Sequence, residues 1–202
     1  MKLLVSAWYP YQHQANALGQ MIGDPIYTRE VMTDDGSTLY GPALGPFVAL
    51  VVEGAEKPVV GLPAIVEMLD RRYPERGFLG GRDPLARSRV RGLSAKVEEC
   101  FSRLYIGDIA SHGEFGRKKW LENSDASQRV LEEVGPRLAV LENYQKGTTS
   151  QFLVGENPTL ADVLLMAAWW TAEDQGLGDV AAANENLAAW YARNSQGPFR
   201  RG

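Results

Sequence analysis

A mixed α/β half followed by an all-helical half is the fold class this sequence predicts, and three observations carry it. Over the first 74 residues, short β-like runs alternate with amphipathic helical stretches. After Pro74 a polar, glycine-rich segment, ERGFLGGRDP, interrupts that alternation. From Leu85 onward, apolar residues recur at spacings of three and four and no strand signal is found. The expected architecture is an α/β domain over residues 1–75, a linker over 76–85 and an all-α bundle over 86–202.

In the first half, KLLVS reads as a strand and residues 11–22 as a helix ended by Gly23. Asp24-Pro25 is a break, and residues 26–32 resume as a strand. The turn-rich DDGSTLYGPALG precedes a third strand over 47–52. Gly54-Ala55-Glu56 turns the chain into a fourth strand over 58–60, giving a β-α-β unit, a hairpin and a closing helix. That last helix places Ile65, Met68, Leu69 and Tyr73 on one stripe. Pro63 suits its first turn, where the missing N–H costs nothing. Gly61 and Leu62 stand where Ser, Thr, Asp or Asn would be the usual cap. The N–H groups there still carry a partial positive charge suited to a carboxylate.

In the second half, Val90, Leu93, Val97, Cys100 or Phe101, and Leu104 form one long apolar stripe. Val130, Val134, Leu138 and Leu141 form another, with Ser124 as N-cap and Pro136 as a bend. Leu187, Trp190 and Tyr191 form a third. NPTLADVLLMAAWW is the sharpest local signal. Thr159 followed three residues later by Asp162 is a capping box, with Pro158 and Val163 at the staple positions. The helix beyond is apolar on nearly every side, as the centre of a bundle should be.

Composition narrows the function classes. Of 202 residues, 45% are hydrophobic and five are tryptophans, enough for a well-filled core. A net charge of −4 argues against nucleic-acid binding, which needs a basic footprint. The arginines between Arg82 and Arg91 alternate with apolar residues and read as a solvated helix face. A single cysteine, Cys100, excludes an internal disulfide and fits a reducing compartment. It lies on an apolar stripe and reads as a small buried hydrophobe. The start MKLLVSAWYPYQ lacks the apolar length of a signal peptide, and residues 163–170 fall short of the roughly 20 a membrane span needs. A soluble, cytoplasmic protein is expected. His13 and His112 are far apart in sequence with no second cysteine, so no metal site is expected, and GFLGGR lacks the lysine and spacing of a P-loop.

Taken in order, PFVALVVEGAEKPVVGLPAIVEMLDRRYP, DPLARSRVRGL, FLVGENPTLADVLL and LAAWYARNSQGPFRR resemble the cytosolic glutathione S-transferase superfamily along nearly the whole chain. The resemblance implies a thioredoxin-like first domain, a helical second domain, a homodimer and a site between the domains for glutathione and a small organic substrate. It assigns Pro46 as a cis-proline whose neighbours, Phe47 among them, hold the cysteinyl part of glutathione. It places Gly61 and Leu62 where relatives carry an acid and a Ser or Thr, the side chains that hold the γ-glutamyl amine and carboxylate. It places Tyr9, with Ser6 a little earlier, where relatives carry the Ser or Cys that acts on the thiol. The segment before Pro46 is also shorter than the family usually spends on its second helix.

The residues themselves leave two roles open for this aromatic start. Tyr9 can donate its O–H to a thiolate without ionising, since a phenol titrates near pH 10. Alternatively Trp8, Tyr9 and Tyr11 line an apolar pocket floor, with Phe101 and Tyr105 facing them from the helical half and Tyr40 nearby in a loop. His13 reads as a polar helix residue. Two function classes follow. One is an enzyme of thiol transfer, thioether cleavage, isomerisation or dehydration on a small aromatic or electrophilic molecule, with an atypical glutathione site. The other is a ligand-binding or protein-interaction module that kept the fold and lost the cofactor.

Overall fold

The computed structural model describes residues 1–6, 9–23, 28–32, 48–111, 124–174 and 184–200. Strand β1 (Lys2–Ser6) leads into helix α1 (Tyr9–Ile22), which returns the chain to β2 (Thr28–Met32). Strands β3 (Val48–Val51) and β4 (Val59–Val60) form the hairpin, and α2 (Leu62–Arg72) closes the first half. The sheet order is β2-β1-β3-β4. Strands β1 and β2 are parallel, with Lys2 opposite Thr28 and Ser6 opposite Met32. A parallel pair needs a crossover, and α1 supplies it. The other two pairings are antiparallel.

Alternation along β1 and β3 sorts the sheet faces. Leu3, Val5, Val48 and Leu50 join the main core together with Leu18 of α1 and Ile65 and Leu69 of α2. Leu4 and Ala49 occupy the opposite face. On α2 the expected stripe is shifted: Ile65, Val66 and Leu69 are fully buried, whereas Met68 and Tyr73 are only partly so. Helix α1 starts at Tyr9 rather than Tyr11, because Pro10 fits a first helical turn.

The helical half comprises α3 (Pro84–Ser111), α4 (Ser124–Gln145), α5 (Leu160–Asp174) and α6 (Glu185–Ser195). Every residue of α5 from Leu160 to Ala172 is buried, as its all-round apolar sequence predicts. The expected stripes hold at Val90, Leu93, Val97 and Cys100, at Val134, Leu138 and Leu141, and at Leu187 and Trp190. Helix α4 begins at Ser124 itself, one position from the expected cap, and continues through Pro136. Helix α5 packs against α1 and α3, while α4 packs against α3 and α6.

The cap of α5 differs in detail from the reciprocal box that the sequence suggests. Asp162 Oδ2 accepts from the Thr159 N–H at 2.9 Å, and the Thr159 hydroxyl also donates to it, at 2.8 Å. Asp162 Oδ1 takes the Leu153 N–H at 2.8 Å. One carboxylate thus ties both the helix start and the preceding loop.

The segment between the halves is packed. Phe78 and Leu79 are buried, and the Phe78 carbonyl accepts from Leu160 N–H at 3.1 Å. Asp70, buried at the end of α2, takes the Leu79 N–H at 3.1 Å and Arg87 Nη1 at 2.7 Å. Arg87 is therefore drawn off the expected solvated arginine face, and Arg91 pairs with Glu67 at 3.0 Å, whereas Arg82 and Arg89 remain exposed. At Gly80 φ is +91°, and an added Cβ would stand 2.9 Å from the Ala86 carbonyl carbon. Gly80→Ala is expected to cost about 2 kcal/mol or more, from left-handed strain plus overpacking against backbone. Urea unfolding checks it, and a loss under about 0.5 kcal/mol would mean that the junction yields freely.

Candidate functional site

Strand register brings Ser6, Gly61 and Leu62 to the same end of the strands. Val5 lies opposite Val48, so the end of β1 and the start of β3 are neighbours. Val60 lies opposite Ala49, and Gly61 N–H donates to the Val48 carbonyl at 2.8 Å. The first turn of α1, the start of β3 and the first turn of α2 therefore converge. Ser6 closes β1 and Tyr9 opens α1 at this end of the strands, with Gly61 and Leu62 at the start of α2. Phe101 and Tyr105 lie on α3, which meets α1. These placements of Ser6, Tyr9, Phe101 and Tyr105 concern the backbone. Trp8, Tyr40, Pro46, Phe47 and His112 lie outside the described residues. Tyr11 is partly buried against the main core.

The start of α2 is built without polar side chains. Gly61 caps it at φ 88° and ψ 138°, with no side-chain cap bond and no acidic residue in the first turn. Leu62 is 2% exposed, packed into the core. Ile65 N–H donates to the Gly61 carbonyl at 3.0 Å, and Pro63 has no N–H. The remaining donors of this turn are the backbone N–H groups of Leu62 and Ala64. The nearby acids on the hairpin turn, Glu53 and Glu56, are exposed.

Three comparisons with known proteins bear on this arrangement. Residues 100–198 match the family described as glutathione S-transferase, C-terminal domain. Maleylacetoacetate isomerase of Pseudomonas aeruginosa is 32% identical over 133 residues, which cover 66% of this chain and 59% of the isomerase. Among solved structures, a class Gtt2 glutathione S-transferase of Vibrio parahaemolyticus superimposes with a TM-score of 0.69 at 17% identity, covering 99% of this chain and 96% of that one. Maleylacetoacetate isomerase of Anaeromyxobacter dehalogenans, with dicarboxyethyl glutathione and citrate bound, gives 0.68 at 20% identity over 98% and 89%. Residues 100–198 thus carry the glutathione S-transferase C-terminal domain, and the chain as a whole has the glutathione S-transferase fold. The thioredoxin-like half and the helical half are those of that fold.

Within this fold, one group without a local sequence signal stands out. His13 is a polar residue on α1 as the sequence suggests, but it is only 6% exposed. Its Nε2 donates to Asp174 Oδ2 at 2.6 Å, and its ring meets Trp170 edge-on at 5.8 Å. The partner lies 161 residues away, so no local pattern signals it. Two further links were equally invisible: Trp169 stacks on Tyr191 at 4.4 Å, and the Tyr191 hydroxyl donates to Glu173 at 2.6 Å.

Cys100 behaves as the sequence suggests. It is 1% exposed, and burial pushes its thiol up to about 11. A thiol so raised is almost wholly protonated at neutral pH and lacks the thiolate that attacks. Ellman's reagent at pH 8 is expected to leave the native protein unlabelled for minutes and to titrate one thiol after denaturation. Rapid labelling of the folded protein would contradict the buried placement. Among the described residues, no group of three or more His, Cys, Asp or Glu side chains is arranged to hold a metal, and no helix is long and apolar enough to cross a membrane.

Proposed function

We propose that this protein is a glutathione S-transferase-like enzyme that acts on a small aromatic or electrophilic molecule in the cleft between its halves. The observation that carries this reading is the convergence of the first turns of α1 and α2 and the start of β3 at one end of the central strands. Glutathione is the thiol, held with its cysteinyl part near Pro46 and Phe47 and with Tyr9 as the O–H donor. Ser6 stands by as a secondary donor. Trp8, Tyr11, Phe101 and Tyr105 line the substrate pocket. The similarity to two maleylacetoacetate isomerases supports an isomerase step in particular. In such a step a thiolate adds to a conjugated double bond, the resulting single bond rotates, and the thiolate leaves again with no net consumption of thiol. The enzyme works in the cytoplasm as a homodimer, the first half of one subunit against the helical half of the other.

A specific observation favours a second reading. Gly61 and the inward-turned Leu62 provide no side chain for the γ-glutamyl ammonium or carboxylate. Losing hydrogen bonds to charged groups costs about 1.5–3 kcal/mol each, so two such losses weaken binding by roughly two to four orders of magnitude. On that reading the protein is a non-catalytic binding or interaction module. Calorimetric titration with glutathione from micromolar to tens of millimolar separates the two. Saturable binding by a few millimolar is expected if the enzyme reading holds, and its absence across that range leaves the module.

A further inference from the structure

The two halves of the chain meet where α1 lies along α5. His13 stands one turn beyond Tyr9 on α1, and a spacing of four puts both residues on the same helix face. Two contacts from α5 fix its ring, the edge-on packing against Trp170 at 5.8 Å and the 2.6 Å bond to Asp174, the last residue of that helix. The imidazole is 8% exposed and the Asp174 carboxylate 24% exposed. Adhesion between the helices does not require this bond, because Leu18 of α1 and nearly all of α5 already join the same apolar core. A buried polar pair contributes little net stability compared with an apolar pair of similar volume. What it adds is direction, since a hydrogen bond of this length is satisfied in only one relative placement of the helices.

We propose that His13 and Asp174 are a positioning pair, which sets the first turn of α1, and with it Tyr9, against the helical half. The inference rests on the cleft reading above and identifies what holds that cleft in register.

Three substitutions test it. His13→Phe keeps a ring against Trp170 and loses the bond. His13→Gln loses the ring but carries an amide N–H that can reach Asp174. Asp174→Asn weakens the acceptor. Hydrogen exchange is read at the amides of residues 13–16, which close the first turn of α1, and at α5. Kinetics are read with glutathione and 1-chloro-2,4-dinitrobenzene. His13→Phe is expected to leave the melting temperature within a few degrees, to speed exchange at 13–16 at least tenfold, and to lower kcat at least tenfold with KM within twofold. His13→Gln should return both quantities to within about threefold of the unmodified protein, and Asp174→Asn should fall between. Unchanged exchange in His13→Phe, or failure of His13→Gln to rescue, would reduce the pair to ordinary packing and overturn the proposal. If the unmodified protein has no activity with this thiol and electrophile, the exchange results still decide the positioning role, while the enzyme reading fails separately.

Discussion

Asp162→Ala is expected to lower the unfolding free energy by about 3 kcal/mol or more at pH 5. The carboxyl is fully buried and accepts the Leu153 and Thr159 N–H groups and the Thr159 hydroxyl. Removing it orphans two buried backbone donors, each costing about 1–3 kcal/mol when no water can replace the acceptor. The Thr159 hydroxyl can turn elsewhere, so it adds little. Asp162→Asn should fall between, since the carboxamide oxygen can serve one side of the bonding while its NH₂ faces a donor.

The pH dependence of this effect has a definite sign. Burial pushes Asp162 up to about 6 from an ordinary 3.8, outweighing the hydrogen bonds that favour the ionised form. A folded-state pKa above the unfolded one means that the folded protein keeps a proton the unfolded chain has released. Stability from this group is therefore complete below about pH 4 and is lost as pH rises through about 6. The gap between the parent and Asp162→Ala should narrow from pH 5 to pH 8, as read from chemical denaturation at each pH. A gap that widens with pH would show that the hydrogen-bond donors, not burial, govern the carboxyl.

Gly61→Glu is expected to tighten glutathione binding by roughly ten- to a hundredfold. On the enzyme reading, where Gly61 faces the γ-glutamyl ammonium, a carboxylate here adds one charged hydrogen bond, worth about 1.5–3 kcal/mol. There is room for it: a Cβ built at Gly61 meets nothing within 4 Å. The cost is conformational, because φ is +88° and a non-glycine residue there stores about 1–3 kcal/mol of strain. The variant should thus bind more tightly and unfold more easily. The companion change, Leu62→Ser, is no simple repair. Leu62 is a core residue, and large-to-small changes at such positions cost about 2–5 kcal/mol. Calorimetry and urea unfolding of the two variants provide the check. Equal glutathione affinity in the parent and in Gly61→Glu would place the γ-glutamyl end somewhere other than α2, or glutathione outside the protein's function.

This trade between affinity and packing bears on which of the two readings holds. Glycine relaxes a turn whose positive φ any side chain would strain, and leucine fills the core beneath it. Both choices favour the fold over the γ-glutamyl contacts. The same two residues therefore motivate the non-catalytic reading, which the glutathione titration tests.

Much of the fold was legible because it rests on local periodicity. The stripe Val90, Leu93, Val97 and Cys100 and the all-round apolar α5 each lie within one or a few helical turns and are found as expected, and the Thr159–Asp162 pair caps α5 with Asp162 as the acceptor of both bonds. Gly61 and Leu62 could be singled out for the same reason, as a missing cap at a helix start is a local fact. The burial of Asp70 and the diversion of Arg87 from the solvent face needed the packing of α2 against the junction, which no spacing encodes. His13 is the plainest case. In sequence it is one polar residue on a helix, and only the fold sets Asp174 beside it, 161 residues later. By itself, then, the sequence determined the elements, their order and which faces are apolar, because those follow from short-range repeat and capping. The tertiary structure alone decided which polar groups meet across the halves, because a hydrogen bond requires two distant side chains to arrive within about 3 Å of each other.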